Sequence, residues 1–234
     1  MSYKNLNNLL KSVSVNGAIN ECSLQVNQSV GSIAAIDPTN TIFVLAKEKI
    51  EIKEAINLGI LDIGGIIKFL NGLKEEDNVE YEVDKNHLVF KVAGKGLAKF
   101  SLSDYKTIST AIKAGQEEKI KKIIESKTLN VFSVTESFIK KFEYFSSLFQ
   151  GDNIKFKLTG GKLKVSGGKD MSSFTFSEKT NIKKEINIEI SVDTAHLISI
   201  FSLLFAKKED FYISFEENSP FIIKSKTVVW VLAN

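Results

Sequence analysis

Arginine is missing from all 234 residues, and the 31 basic side chains are lysines without exception. That excludes the bidentate reading of guanine by arginine. It also leaves any phosphate contact to point charges on flexible stems, which hold loosely and without sequence preference. Lysine, isoleucine and asparagine are abundant, which suggests an AT-rich coding sequence. A single cysteine, Cys22, excludes an intrachain disulfide and fits a reducing cytoplasm. No run approaches the ~18 apolar residues needed to span a bilayer, so no membrane segment is expected. The opening MSYKNLNNLLKSV lacks a basic n-region followed by an apolar h-region, so a signal peptide is not expected either. The net charge of +3 is too small to identify a nucleic-acid partner. What remains is an ordinary globular composition, 43% hydrophobic and 25% charged, long enough for one large domain or two modest ones.

Chemistry is equally scarce. The two histidines, His87 in a predicted hairpin and His196 at the start of a predicted helix, read as structural. Neither stands at ligand spacing from the other or from Cys22, so no metal site and no cofactor are expected. Cys22 alternates with polar neighbours in a strand and reads as a small core residue. Gly160-Gly161-Lys162 and Gly167-Gly168-Lys169 join strand to strand, whereas a phosphate-binding loop joins a strand to a helix. Asp62 and Asp193 precede helices and read as N-caps rather than as an acid–base pair. An enzyme is not expected; a binding or scaffolding protein is.

A repeat is present instead. LDIGGIIKFLNGL is an amphipathic helix, followed by NVEYEVDKNHLVFKV, a hairpin turning at Asp84-Lys85-Asn86. SVTESFIKKFEYFSSLFQ repeats the helix, with Thr135 as N-cap and Phe138, Phe142, Phe145 and Phe149 on one face; NIKFKLTGGKLKVSGG repeats the hairpin, turning at Gly160-Gly161. SVDTAHLISIFSLLFA, capped by Asp193 or Thr194, precedes DFYISFEENSPFIIKS. SYKNLNNLLKSV precedes INECSLQVNQSVGSIAAID. Further strands fill the gaps: TIFVLAK, KIEIKEAINL, GLAKFSLS, MSSFTFSE, INIEIS and TVVWVLA. The segment 104–128 is charged and reads as a linker with a possible solvated helix. The expectation is an α+β chain of two similar domains, 1–103 and 129–234, each with two helices packed on antiparallel sheets of roughly eight strands, joined by a connector at 104–128. A generic α+β domain with coincidental hairpins is the plain alternative.

Four helix-plus-hairpin units in two domains resemble a DNA polymerase sliding clamp of the two-domain type, the group of PCNA and the T-even phage clamps. NLLKSVSVNGAINECSLQ is similar to the opening of the phage clamps, and LGILDIGGIIKFLNGLKEEDNVEYEVDKNHLVFKVAGKGLAKFSL to the end of their first domain. TLNVFSVTESFIKKFEYFSSLF with its hairpin resembles the start of the second domain, and DTAHLISIFSLLF with FYISFEENSPFIIKSKTVVWVLA its close.

The resemblance implies a DNA-clamp fold and a homotrimeric ring. The ring encircles double-stranded DNA without reading it, tethers a DNA polymerase for processivity, and is placed on DNA by an ATP-dependent clamp loader. Helices line the hole in that arrangement, so their outer faces should carry cations or small polar groups. The first helix buries Leu6, Leu9, Leu10 and Val13 and presents Lys4, Asn7, Asn8 and Lys11. The second presents Lys68 and Asn71, with Lys74 just beyond; the third presents Lys140, Lys141, Tyr144 and Ser147. The fourth departs, with His196, Ser199 and Ser202 and only Lys207 and Lys208 past its end. Ring closure by edge strands is expected at GLAKFSLS, with Leu97, Phe100 and Leu102, and at MSSFTFSE, with Phe174 and Phe176. Trp230 is expected near a pocket for partner peptides. The expected setting is the cytoplasm, the host's if the source is viral. The rival readings are a phage structural ring or tail-tube-like β protein, disfavoured by the duplicated layout, and a hydrolase with an unrecognised site.

Overall fold

The computed structural model describes residues 2–50, 52, 54–74, 76–112, 115–125, 130–149, 151–169, 172–180 and 187–233. The chain forms two compact units, Met1–Lys119 and Ile120–Asn234.

The first unit opens with α1 (Ser2–Ser14), followed by β1 (Cys22–Asn27), β2 (Val30–Ile36), β3 (Ile42–Lys49), β4 (Ile56–Ile60), α2 (Ile63–Asn71), β5 (Val79–Asp84), β6 (His87–Val92) and β7 (Gly96–Ser103). Its strands lie antiparallel in the order β5-β6-β7-β4-β1-β2-β3. Leu6, Leu9, Leu10 and Val13 of α1 and Ile63, Ile66 and Leu70 of α2 are buried, as their helical spacing predicts. Asp62 caps α2 by accepting from Gly65 N at 2.7 Å. Gly65 lies directly against that carboxylate. Asn20 holds the same helix start, its Oδ1 accepting from Gly64 N at 3.0 Å. The β1–β2 turn is Gln28-Ser29, at φ +49° and +59°, the left-handed geometry that matches strand twist. The β5–β6 turn is tighter than expected: Asp84 pairs with His87, leaving Lys85-Asn86. The predicted strand KIEIKEAINL narrows to β4; Glu51 and Lys53 of it lie outside the described residues.

Residues 104–112, expected as the start of a linker, belong to the first unit. Asp104 caps a single 3-10 turn, Tyr105–Thr107. Ile108 and Thr110 are buried. Thr110 O accepts from Ile36 N at 3.0 Å, and its hydroxyl donates to Glu21 O at 2.6 Å. Then follows α3 (Gln116–Ile124), which buries none of its residues, as a solvated helix should. The division between units falls within it.

The second unit contains β8 (Asn130–Ser133), α4 (Glu136–Leu148), β9 (Asn153–Thr159), β10 (Lys162–Lys169), β11 (Ser172–Lys179), β12 (Asn187–Asp193), α5 (Thr194–Lys207), β13 (Phe211–Phe215), β14 (Phe221–Ser225) and β15 (Val228–Leu232). Two antiparallel arrays form, β15-β14-β13-β8 and β11-β10-β9-β12. β8, four residues carrying one large inward residue, Phe132, was not among the predicted strands. Thr135 caps α4 and Asp193, not Thr194, caps α5. The core is aromatic: Phe142 meets Phe201 at 4.8 Å between ring centroids, Phe138 meets Phe176 at 5.5 Å, and Phe156 meets Phe221 at 4.7 Å. No described helix is long and apolar enough to cross a membrane.

Candidate nucleic-acid interface

In the first unit α1 and α2 lie side by side. The polar stripe between them is partly consumed in joining them. Asn7 Nδ2 donates to Asn71 Oδ1 at 3.1 Å, and Tyr3 Oη donates to Lys74 O at 3.4 Å. Asn7 is buried, so it faces α2 and not solvent; this corrects its assignment as a DNA contact. Asn71 stays exposed beside it. Lys4, Lys68 and Lys74 are exposed, and Asn8 and Lys11 are half-buried. Burial lowers the pKa of Lys11. Lys74 Nζ stands 3.9 Å from Glu76.

In the second unit the α4 cations are paired. Lys140 Nζ meets Glu136 at 2.6 Å one turn back, and Lys141 Nζ meets Glu178 of β11. Both pairs are solvent-accessible, so each is weak and can be exchanged for a phosphate. Tyr144 is 61% exposed, and Ser147 donates to Tyr144 O at 2.8 Å. His196 Nδ1 lies 3.3 Å from the capping Asp193. Ser202 links α5 to Glu143 of α4 at 3.4 Å.

The two lysines past α5 part company. Lys208 is exposed, in a left-handed cap at φ +53°. Lys207 has only 6% of its side chain accessible. Its Nζ donates to Thr227 Oγ1 at 3.0 Å and lies 3.5 Å from Glu209. Lys207 is a packed cation, and its expected DNA contact is withdrawn. Burial pushes the Glu209 carboxyl upward, but hydrogen bonds from Ser225 and Thr227 and the Lys207 charge outweigh it and hold it below the usual carboxylate range.

The expected closure strands are edge strands in part. β7 pairs with β6 along Gly96–Ser101 and with β4 only at Leu102 and Ser103, so most of its second edge is open. Leu97 is 62% exposed; Phe100 is half-buried against Phe69 and Phe90. Among the described residues β11 pairs only with β10 and ends its array. Its Phe174 and Phe176, however, are core residues stacked on Phe145 at 5.4 and 5.7 Å; as interface side chains they are corrected. Trp230 is fully buried in β15, so its side chain is a core residue and not one exposed to a partner peptide. A groove of about 640 Å³ does occur where residues 105–112 cross β1 and β2, lined by Gln25, Ala34, Tyr105, Ile108 and Ile112 among others. The apolar residues Ile108, Ala111 and Ile112, inside a segment otherwise read as linker, were the sequence signal for it.

The fold of both units together is that of the sliding clamps. PCNA from Thermococcus kodakaraensis aligns over 100% of this chain and 97% of its own, with a TM-score of 0.72 and 18% identity. PCNA from A. fulgidus, solved with the C-terminal region of FEN-1, aligns over 100% and 96%, with a TM-score of 0.74 and 17% identity. The DNA polymerase III β subunit of Pseudomonas aeruginosa gives 0.71 at 12% identity, over 100% of this chain and 63% of that one. No protein-family model and no curated sequence matches the chain.

Proposed function

We propose that this chain is a DNA sliding clamp, a non-enzymatic ring of three copies that encircles duplex DNA and tethers a DNA polymerase. The observation that carries the reading is the clamp fold across the whole chain, with helix faces of lysine and small polar groups. Lys4, Asn8, Lys11, Lys68, Asn71, Lys74, Lys140, Lys141, Tyr144, Ser147, His196 and Lys208 face the duplex in this reading. Their chemistry suits sliding, since lysine holds phosphates without reading bases. Topology rather than affinity retains the ring, and the tethered polymerase gains effective concentration at the primer end. No bond is made or broken; an ATP-dependent loader opens and closes the ring.

Three copies give six similar domains in a closed heterologous ring. The open edges of β7, with Leu97, and of β11 supply backbone pairing between copies. In this reading the chain passes from one domain to the other through α3 (Gln116–Ile124), and the groove beneath 105–112 takes a short apolar partner peptide. The lysine-rich, arginine-free composition suits a viral source acting in its host's cytoplasm.

Light scattering across a dilution series tests the ring. A species near three times the 26.0 kDa chain that falls toward monomer on dilution supports it and leads to a primer-extension processivity assay. A strict monomer at high concentration, or growing filaments of a tail-tube type, sinks it.

A further inference from the structure

The array β11-β10-β9-β12 has one face buried under helices and one in water. Its register places the water-face side chains in rows. Lys179 stands opposite Lys162, and Lys164 opposite Lys157. Lys155 follows on the same face of β9, and all five lysines are exposed or half-buried. Glu189, across from Lys157, is shared at 3.4 Å with Lys155 and 3.9 Å with Lys157. The other carboxylate of this face, Asp193, sits at its far end and caps α5. Among the described residues no carboxylate pairs with Lys162, Lys164 or Lys179.

Like charges directly opposite one another weaken a sheet, so folding does not account for these pairs. Composition does not either: the chain balances 31 lysines against 28 acids, while this face sets five lysines against two carboxylates. The positions between them hold Ser166, Thr175 and Ser177 rather than large apolar side chains.

We infer that this face is a second phosphate-binding surface, for the backbone of duplex nucleic acid lying outside the helix-lined side. It rests on the sheet register alone and stands whether or not the chain closes into a ring. Lysines repeat about 6.7 Å along a strand and about 4.8 Å across strands. A duplex carries a charge every ~1.7 Å of axis, so several of them meet phosphates at once. The hydroxyls between donate to phosphate oxygens. A stable protein partner fits poorly, because protein interfaces are depleted in lysine and centred on aromatic anchors that this face lacks. A membrane fits poorly too, with no apolar side chain on the face to enter the lipid.

The test is the full chain carrying K162Q, K164Q and K179Q, titrated with a short linear duplex at several salt concentrations. Removing three phosphate contacts should lower the slope of log K against log salt by about 2 to 3 and weaken binding at least tenfold at low salt. Relief of the like-charge pairs should leave the melting temperature unchanged or raised, which separates lost binding from lost fold. An unchanged slope and affinity overturns the inference, as does equal binding of wild type and variant to duplex with selective loss of binding to phosphatidylserine vesicles. A K68Q/K140Q variant on the helices separates the two surfaces. If it alone weakens duplex binding, the outer face fails while the clamp reading survives. If the outer variant alone does so in a strictly monomeric protein, the outer face stands and the ring falls.

Discussion

Glu209→Ala should destabilise the second unit by about 3–5 kcal/mol, because it removes the carboxylate packed against the Lys207 ammonium. The geometry sets the size. Lys207 exposes 6% of its side chain and Glu209 19%, so water can solvate neither fully once the other is gone. Thr227 Oγ1 bridges them, at 3.0 Å from Nζ and 2.8 and 2.9 Å from the two carboxylate oxygens. Lys207→Met alone should cost less, since the carboxylate keeps its bonds from Thr227 and lies nearer to water. Lys207→Met with Glu209→Leu should fall within about 1 kcal/mol of wild type or above it, as apolar replacement of both partners removes the desolvation cost along with the attraction. The assay is urea or thermal unfolding of wild type and the three variants. At roughly 2–4 °C per kcal/mol for a chain of this size, Glu209→Ala should lower the melting temperature by roughly 6–20 °C. The same proteins titrated with duplex complete the test: Lys207→Met should leave the salt slope of binding unchanged. A cost below about 1 kcal/mol for Glu209→Ala, together with a salt slope that falls with Lys207→Met, would refute the reasoning and return Lys207 to the DNA-facing set.

Two further outcomes are expected. Burial pushes the Asp37 carboxyl upward, but bonds from the Thr39 hydroxyl and from the backbone N–H groups of Ile42, Thr39 and Thr41 outweigh it, so its pKa lies below the ordinary value. Because the folded pKa is the depressed one, this stability is fully present above the unfolded value of about 3.9 and is lost as pH falls below it. Asp37→Asn should therefore cost about 1–3 kcal/mol at pH 7 in urea unfolding and approach wild type as pH falls through the folded-state pKa of Asp37; a gap independent of pH would contradict the Asp37 geometry. Phe142→Ala should cost about 3–5 kcal/mol, since the ring is fully buried and seated 4.8 Å from Phe201; a loss under 1 kcal/mol would mean the aromatic core of the second unit is packed differently.

Helices and hairpins were legible in the sequence because their signals are local. Thr135 and Asp62 announce helix starts through side chains that reach only three residues ahead, and Gly160-Gly161 occupies φ +55° and +73°, which glycine adopts at no steric cost. The misassigned residues all depend on a partner distant in sequence. Asn7 belongs to the polar stripe of α1 until Asn71 arrives from α2. Lys207 reads as a solvated helix end until Thr227, beyond the β13–β14 hairpin, reaches its Nζ. Phe174 and Phe176 alternate as edge residues would, yet the phenylalanine stripe of α4 covers them. Segment 104–112 looks like linker by charge, and only Glu21 and Ile36, far back in the chain, show that Thr110 is tied into the first unit.

The distribution of lysine partners separates two kinds of basic surface that composition alone cannot. On α4, Lys140 and Lys141 each face a carboxylate, and the pairs lie in water. Such cations are half-neutralised, bind phosphate weakly and release it readily, which is what movement along a duplex requires. On the outer sheet, Lys162, Lys164 and Lys179 have no carboxylate partner among the described residues and stand beside one another. That arrangement costs stability when empty and recovers it when phosphates intervene, so it favours holding over sliding. The two surfaces should therefore differ in salt response. Binding through the outer face should have the steeper dependence per contact, since no carboxylate competes with the phosphates there.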